Sequence, residues 1–396
     1  MRRRRPLTSR GAGALVAALS CLVAANLFGA RILAYVGVLL ISLVVFSLLA
    51  VRLPRRSGVV SRQVHTDLLT VGAKSRVTVR LTLRTWRVPP GLWHDMLPPA
   101  LSGDASGEYS GDAAPLSYEA TGIRRGVWPL GPLMLRTVDP FGLAQREQAF
   151  GEPRSVTVVP EVLTLTSAAV RVGAAGGTAH TSSTRLGQGS DNLSPRPYIP
   201  GDSMRRIHWR ATAHRDKLMV RQEEEESSPD AVVVLDRSSH RWDTPGPDID
   251  PNFEAAVSLC ASSAMHLASE GYSVDVIDSA GSLLGSLRGQ EDDRDNLLVA
   301  LAQVSPRGVS RELPALLGGT PPGPLIYITG NLHEEDARRL HPAGAAAPLL
   351  FAATLPPRAV DTCRRHGWTV TRVDTDIATA WEDAIASRIE GGDIAH

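Results

Sequence analysis

The sequence predicts a multidomain chain: an N-terminal transmembrane α-hairpin, an antiparallel β-sandwich, and a C-terminal α/β domain with a doubly wound parallel sheet. Three observations predict it. Residues 11–30 carry no charge, and residues 32–51 form a second apolar run, ILAYVGVLLISLVVFSLLAV. From Arg76 to Arg84 apolar and polar residues alternate strictly. After Pro229 apolar strand-like runs alternate with helix-like segments.

Each apolar run is about 20 residues, or ~30 Å as a helix, which is enough to cross a bilayer. Asn26 to Arg31 lies between them and can serve as a tight turn. A cleaved signal peptide is the rival for the first run, because Arg2 to Arg5 make a good leading basic region. The second run follows almost at once, however, with no clear small-residue cleavage site between. Five arginines (Arg2, Arg3, Arg4, Arg5 and Arg10) precede the pair, Arg52, Arg55 and Arg56 follow it, and only Arg31 sits in the turn. The positive-inside rule therefore places the chain in the cell membrane with two spans and both termini in the cytoplasm.

Charge follows the same division. The first hundred residues hold fifteen Arg or Lys against two acids, a net of +13, and the remainder holds 27 basic and 39 acidic side chains, a net of −12. A chain so divided is not a uniformly basic nucleic-acid binder, and no nucleic-acid partner is expected. The cysteines Cys21, Cys260 and Cys363 are far apart and form no C-x-x-C pair. That excludes a disulfide scaffold and a structural zinc site, and it fits a reducing compartment.

The organisation expected is a hairpin with basic flanks (1–56), a β-sandwich (57–166), a flexible linker (167–195), a distinctive block (196–228) and the α/β domain (229–396). In RVTVRLTLR, residues 76–84, Val77, Val79, Leu81 and Leu83 face one way and the Arg and Thr residues the other, as in a half-buried strand. Leu116–Thr121, Val127–Thr137 and Ser155–Val159 are further strand candidates, separated by Gly/Pro turns. Residues 167–195 are rich in Ala, Gly, Ser and Thr, as a linker would be. In the last part, strands are expected at 231–236, 273–278, 325–329, 348–355 and 368–373. Helices are expected at 252–271, 292–304, 332–340, 358–367 and 377–389. Such alternation implies a parallel sheet whose ligand edge lies beyond the strand C-termini. Attention therefore falls on Asp236 and on Thr329-Gly330-Asn331.

Between linker and α/β domain runs RPYIPGDSMRRIHWRATAHR, residues 196–215, followed by Leu218-Met219-Val220-Arg221 and the acids Glu223 to Glu226. Together with RRGVWPLGP (124–132), DPFGL (139–143) and the strand ending at Asp236, this block resembles the bacterial family called domain of unknown function 58. The resemblance spans essentially the whole chain. It implies a membrane hairpin, a β-rich domain and a von Willebrand factor A-like C-terminal domain. It also implies a protein partner, a MoxR-type AAA+ ATPase, in assembly or envelope-related work.

The block has a reading from its residues alone. Pro200-Gly201-Asp202 makes a turn, and Asp202 or Ser203 can cap a short helix carrying Ile207 and Trp209. Arg196, Arg205, Arg206, Arg210, Arg215 and Arg221 lie close in sequence to the Glu223–Glu226 run. Two uses stay open: a docking surface made of Arg196, Tyr198, Gly201, Asp202, His208, Trp209, Arg210, Arg221 and Glu223, or an internal Arg–Glu network that fixes the block to the sheet edge.

An A-like domain implies a metal-ion-dependent adhesion site, Asp-x-Ser-x-Ser, in which hydroxyls and carboxylates hold Mg²⁺ with a position open for a partner. Here the run is Asp236-Arg237-Ser238-Ser239-His240, so Asp236 and Ser238 match and His240 replaces the last Ser. Thr329-Gly330-Asn331 stands where Thr-Asp-Gly is usual, which lowers the charge available to a cation. A nucleophilic site is poorly supported, since Ser238, Ser239 and His240 are sequence neighbours without a G-x-S-x-G elbow. His208 and His214 are six apart and do not share a helix face. No P-loop or G-x-G-x-x-G follows a strand. The expected function is therefore a non-enzymatic, membrane-anchored scaffold whose A-like domain binds a protein. The alternatives are a metal-dependent receptor using Asp236 and Ser238, and a hydrolase using Ser238 and His240.

Overall fold

The computed structural model describes residues 6–52, 57–66, 68–84, 91–109, 115–166, 193–197, 212, 218–223, 230–243, 250–308, 323–342, 344–345, 347–373 and 376–392. They divide into two compact units. The first comprises Met1–Thr164, Arg237–Ser262 and Gln290–Gly308; the second comprises Leu165–Asp236, Ser263–Gly289 and Val309–His396.

In the first unit, α1 (Ser9–Phe28) and α2 (Arg31–Arg52) are both long and apolar enough to cross a membrane. Thr8 caps α1, its hydroxyl accepting from the Gly11 N–H at 3.0 Å. Gly29, in the left-handed region at φ +65°, ends the helix, as glycine can without a Cβ penalty. Among the described residues eleven strands follow: β1 (Ser57–Val64), β2 (Leu69–Thr70), β3 (Lys74–Arg84), β4 (Gly91–Asp95), β5 (Leu101–Ser102), β6 (Ser106–Tyr109), β7 (Leu116–Gly122), β8 (Gly126–Leu130), β9 (Leu133–Val138), β10 (Gln145–Phe150) and β11 (Arg154–Val159). The alternation read in β3 is obeyed, with Val77 and Val79 buried and Arg76 and Arg80 exposed. Both valines join Trp93, Tyr118, Leu133 and Val158 in one core.

Two expectations change here. The strands form three sheets, β1-β3-β7-β5, β10-β9-β4-β6 and β2-β11-β8, and the pairing of β2 with β11 is parallel. The region is β-rich with mixed pairing, not a purely antiparallel sandwich, because β2 leaves the β1–β3 antiparallel pair and runs beside β11 instead. The single strand expected over 127–137 is two strands. Pro132 has no N–H to give a ladder, and Gly131 takes φ +97°, so the chain turns there and β8 and β9 enter different sheets. The unit also contains α3 (Pro251–Ser269) as far as Ser262, and α4 (Asp293–Ala302).

One ion pair lies inside this core. The Arg62 guanidinium donates from Nε to Asp95 Oδ2 at 3.1 Å and from Nη2 to Oδ1 at 3.0 Å, a bidentate fork. Tyr118 donates its hydroxyl to Asp95 Oδ2 at 2.9 Å, and Arg62 Nη1 donates to the Glu152 carbonyl at 3.0 Å. Burial and the neighbouring Asp95 carboxylate push the Tyr118 phenol well above its ordinary value, so it stays a donor. A Cβ on Gly131 would collide with the Arg62 guanidinium, which is a second reason for glycine there.

In the second unit, β12 (Leu193–Pro197) and β13 (Met219–Glu223) form an antiparallel ribbon. A six-stranded sheet is built from β14 (Asp230–Leu235), β15 (Ser273–Asp278), β16 (Leu283–Leu287), β17 (Pro324–Asn331), β18 (Ala347–Thr354) and β19 (Thr369–Arg372), in the spatial order β16-β15-β14-β17-β18-β19. All neighbours run parallel except the edge strand β16, which returns antiparallel beside β15. The helices α5 (Glu334–Arg339), α6 (Pro357–Arg365) and α7 (Ile377–Gly392) complete the unit. The sheet is covered on both faces, as a parallel sheet requires. Tyr327, Leu350 and Trp368 lie in the core that includes Cys363 of α6, while Phe351, next along from Leu350, stacks on Trp381 of α7 at 6.1 Å.

Removing one member of the buried fork leaves the other charged and unpaired, at a cost of about 3–5 kcal/mol. Asp95→Ala is expected to lower the unfolding free energy of the full chain in detergent by that amount. Val59→Thr, at an exposed position of β1, is expected to leave it nearly unchanged; denaturant titration compares the two.

Candidate functional site

In chain order the six strands lie 3-2-1-4-5-6, so the connections leave β14 and β17 in opposite directions. In sheets of this kind ligands bind beyond the C-terminal ends of the two strands where the connections diverge. Asp236 is the residue after β14 and is 0% exposed. Its N–H donates to the Ile328 carbonyl at 2.7 Å, extending the ladder by one residue. Its Oδ2 accepts from the Thr329 hydroxyl at 3.0 Å and the Tyr327 hydroxyl at 3.3 Å. Tyr327 and Thr329 are two apart on β17, hence on one face, and so both reach the same oxygen. Farther along, the Asn331 amide oxygen accepts from the Thr354 hydroxyl at 2.6 Å.

The donor set fits Mg²⁺ poorly. Among the described residues, no three His, Cys, Asp or Glu side chains gather in a way that would hold a metal ion. One carboxylate oxygen of Asp236 is already occupied by two hydroxyls, and the Asn331 oxygen is committed to Thr354. In the first unit Ser238 is fully buried and precedes the 3₁₀ turn Ser239–Arg241, while Ser239 and His240 are exposed. Arg237 is buried and donates from Nε to the Ser305 carbonyl at 3.2 Å. Burial pushes the Cys260 thiol up to about 12 and the Cys363 thiol to about 11, so neither is a thiolate near neutral pH.

The distinctive block is placed only at its ends. Arg196 stands opposite Val220, Pro195 opposite Arg221, and Leu193 opposite Glu223 in the β12–β13 ribbon. The strand thus begins inside the segment read as a linker. Tyr198, Gly201, Asp202, His208, Trp209 and Arg210 lie outside the described residues. Tyr327 is the residue that sequence reading missed. Its position two before Thr329, at the end of a strand facing Asp236, was the available signal.

A second motif has a definite structural task within the first unit. Arg125 of RRGVWPLGP is buried and pairs with Glu254 in the first turn of α3. It donates from Nη2 to the Val304 carbonyl at 2.7 Å and from Nε to the Leu301 carbonyl at 3.2 Å, where α4 ends. The guanidinium also lies 5.2 Å from the Phe253 ring centre. Burial lowers its proton affinity, and the Glu254 carboxylate works against that fall. Arg124 sits over Trp128 at 5.5 Å, and the Trp128 indole donates to the Arg125 carbonyl at 3.3 Å.

With this geometry in place, comparison with known proteins adds two findings. Residues 194–318 match the family described as Protein of unknown function DUF58, which bears out the resemblance carried by residues 196–226. The chain is 27% identical over 222 residues to the uncharacterized protein YeaD of Bacillus subtilis (strain 168), an alignment covering 53% of this chain and 52% of that protein. The chain therefore spans about half the length of the curated relative it matches.

Asp236→Ala is expected to lower stability by about 1–3 kcal/mol, because two buried hydroxyls lose their acceptor. The loss should be equal in chelator and in millimolar Mg²⁺; a Mg²⁺-dependent rise in Tm confined to the unmodified chain would restore the metal reading. Arg125→Ala is expected to cost about 1–3 kcal/mol, because the Val304 carbonyl loses a buried donor, read by denaturant titration.

Proposed function

We propose that this chain is a membrane-anchored scaffold. Its hairpin crosses the membrane twice with both termini in the cytoplasm, and its C-terminal α/β unit, of the von Willebrand factor A-like kind, docks a protein partner. The observation that carries this reading is the state of Asp236. At the sheet's switch point, the carboxylate that such a domain would commit to a metal and ligand is occupied by hydroxyls of its own neighbouring strand. Recognition then falls to the arginine-rich block whose ends form the β12–β13 ribbon. Guanidinium groups are suited to carboxylates on a partner surface, where their planar fork gives direction as well as charge.

The partner implied by the family resemblance is a MoxR-type AAA+ ATPase, which would supply the energy that a non-enzymatic scaffold lacks. The match over residues 194–318 includes the block and the strand that ends at Asp236, so the segment shared with the family is the one this reading uses.

Binding of a purified ATPase of that type to the full chain in detergent tests the partner. Capture is expected, with at least a tenfold loss of affinity for Arg210→Ala or for Glu223→Lys, and none for Asp236→Ala. Equal capture by all three variants would remove the block from the interface. Topology has its own test: a C-terminal alkaline phosphatase fusion is expected to be inactive, and an active one would reverse the orientation.

A further inference from the structure

The DPFGL loop, residues 139–143, joins β9 to β10 and closes against the hairpin. Its neighbour Ala144 bridges Leu7, and the Gln145 N–H donates to the Pro6 carbonyl at 2.8 Å. The Thr8 hydroxyl donates to the Gly142 carbonyl at 2.6 Å, and the Thr8 N–H donates to the Leu143 carbonyl at 3.0 Å. A Cβ on Gly11 would overlap that Leu143 carbonyl, so the loop reaches the third residue of α1. On the other helix, the Phe141 ring meets Phe46 edge-on, with centres 6.4 Å apart.

These contacts fix a depth. At ~1.5 Å per residue, Phe46 lies about 9 Å along α2 from Arg52, well inside the apolar run that ends at Val51. Phe141 therefore stands beside the interior of an apolar helix rather than beside its charged end. Both rings keep outward-facing surface, with Phe141 50% and Phe46 58% exposed. Arg146 marks the polar side, donating to the Val51 and Arg52 carbonyls at 3.3 and 3.2 Å.

A loop can enter lipid only if its backbone polar groups are satisfied from within. At the tip of this turn the donors meet that condition. Pro140 has no N–H; the Phe141 and Ala144 N–H groups donate to the Asp139 carboxylate at 3.0 and 2.6 Å; the Gly142 N–H donates to the Asp139 carbonyl at 3.0 Å. Asp139 is thereby buried beneath the turn, and what the turn presents outward is Pro140 and Phe141.

We propose that Pro140 and Phe141 form a third membrane contact, seated in the interfacial layer of the bilayer that the hairpin crosses. The β-rich part of the first unit is then held by lipid as well as by the chain. This rests on the reading of α1 and α2 as membrane spans. Continuity of the Phe141–Phe46 surface with the apolar face of α2 is what selects lipid as the occupant.

Spin labels on the full chain test it. The background is Cys21→Ser, Cys260 and Cys363 being buried. Single cysteines are placed by Phe141→Cys, by Leu39→Cys in mid-span (68% exposed), and by Ile123→Cys on the β part (55% exposed). Each protein is reconstituted in phosphatidylethanolamine/phosphatidylglycerol vesicles, and collision rates with oxygen and with a water-soluble nickel chelate are compared. Oxygen is expected to dominate at 39, nickel at 123, and oxygen to exceed nickel severalfold at 141. Pro140→Cys, at an exposed site one residue away, reports the same loop should the Phe141 variant fail to fold. Nickel dominance at 141 and 140 with oxygen dominance at 39 overturns the loop contact alone. Nickel dominance at 39 overturns the hairpin reading and the loop contact together.

Discussion

A buried guanidinium holds the first unit together across nearly two hundred residues of sequence. Arg125 belongs to the turn before β8, yet its partners are Glu254 at the start of α3 and the carbonyls of Leu301 and Val304 at the end of α4. Each partner suits the charge. Leu301 is in the last turn of its helix and Val304 just beyond it, where carbonyls carry the negative end of the helix dipole and favour a cation. Glu254 sits in the first turn of its helix, where a carboxylate is favoured by the opposite end of the dipole. The face of Phe253 covers the flat side of the guanidinium. Burying an arginine is costly, and only such full satisfaction makes it tolerable. Segments 237–262 and 290–308 belong to the same unit as the β-rich part, and this guanidinium is one of the ties between them.

The same economy of satisfied charge appears at two other places, each with a different consequence. Asp95 is matched by a forked arginine and a phenol, which fixes β1, β4 and β7 relative to one another. Asp236 is matched by hydroxyls of β17. The geometry there stabilises the strand end, with one carboxylate oxygen engaged by two hydroxyls.

Much of the architecture was legible because its signals are periodic. The two apolar runs became α1 and α2 within a few residues, the alternation of residues 76–84 became the exposed and buried sides of β3, and β15 has the very bounds 273–278 that its pattern gave. The missed strands lack periodicity. β16, LLGSL, is a short edge strand with a glycine in it, and β4, GLWHD, mixes polar and aromatic residues because its buried Asp95 is a charge paired in three dimensions. The parallel step between β2 and β11 rests on two residue pairs and leaves no mark in composition. At the candidate site, Asp236 and Thr329 were visible as strand-end polar residues. Their mutual hydrogen bond and the part of Tyr327 depend on the register of β14 against β17, which no local pattern states.

The short motifs that carry the family resemblance divide by physical role. RRGVWPLGP supplies Arg125, Trp128 and the Gly131 turn against Arg62, and DPFGL supplies the Asp139 turn against Thr8 and Gly11. Both are joints, in which a glycine permits close approach and a charged side chain is wholly engaged within the chain. The joint at Thr8 matters most for the two apolar helices, because two backbone bonds, one hydroxyl bond and a ring contact together leave little play between α1, α2 and the strands that follow. A flexible tether would need none of them. A net charge of +1 thus conceals a division: the basic first hundred residues hold two long apolar helices, and Thr8, Gly11 and Phe46 within them lock those helices to the β-rich part.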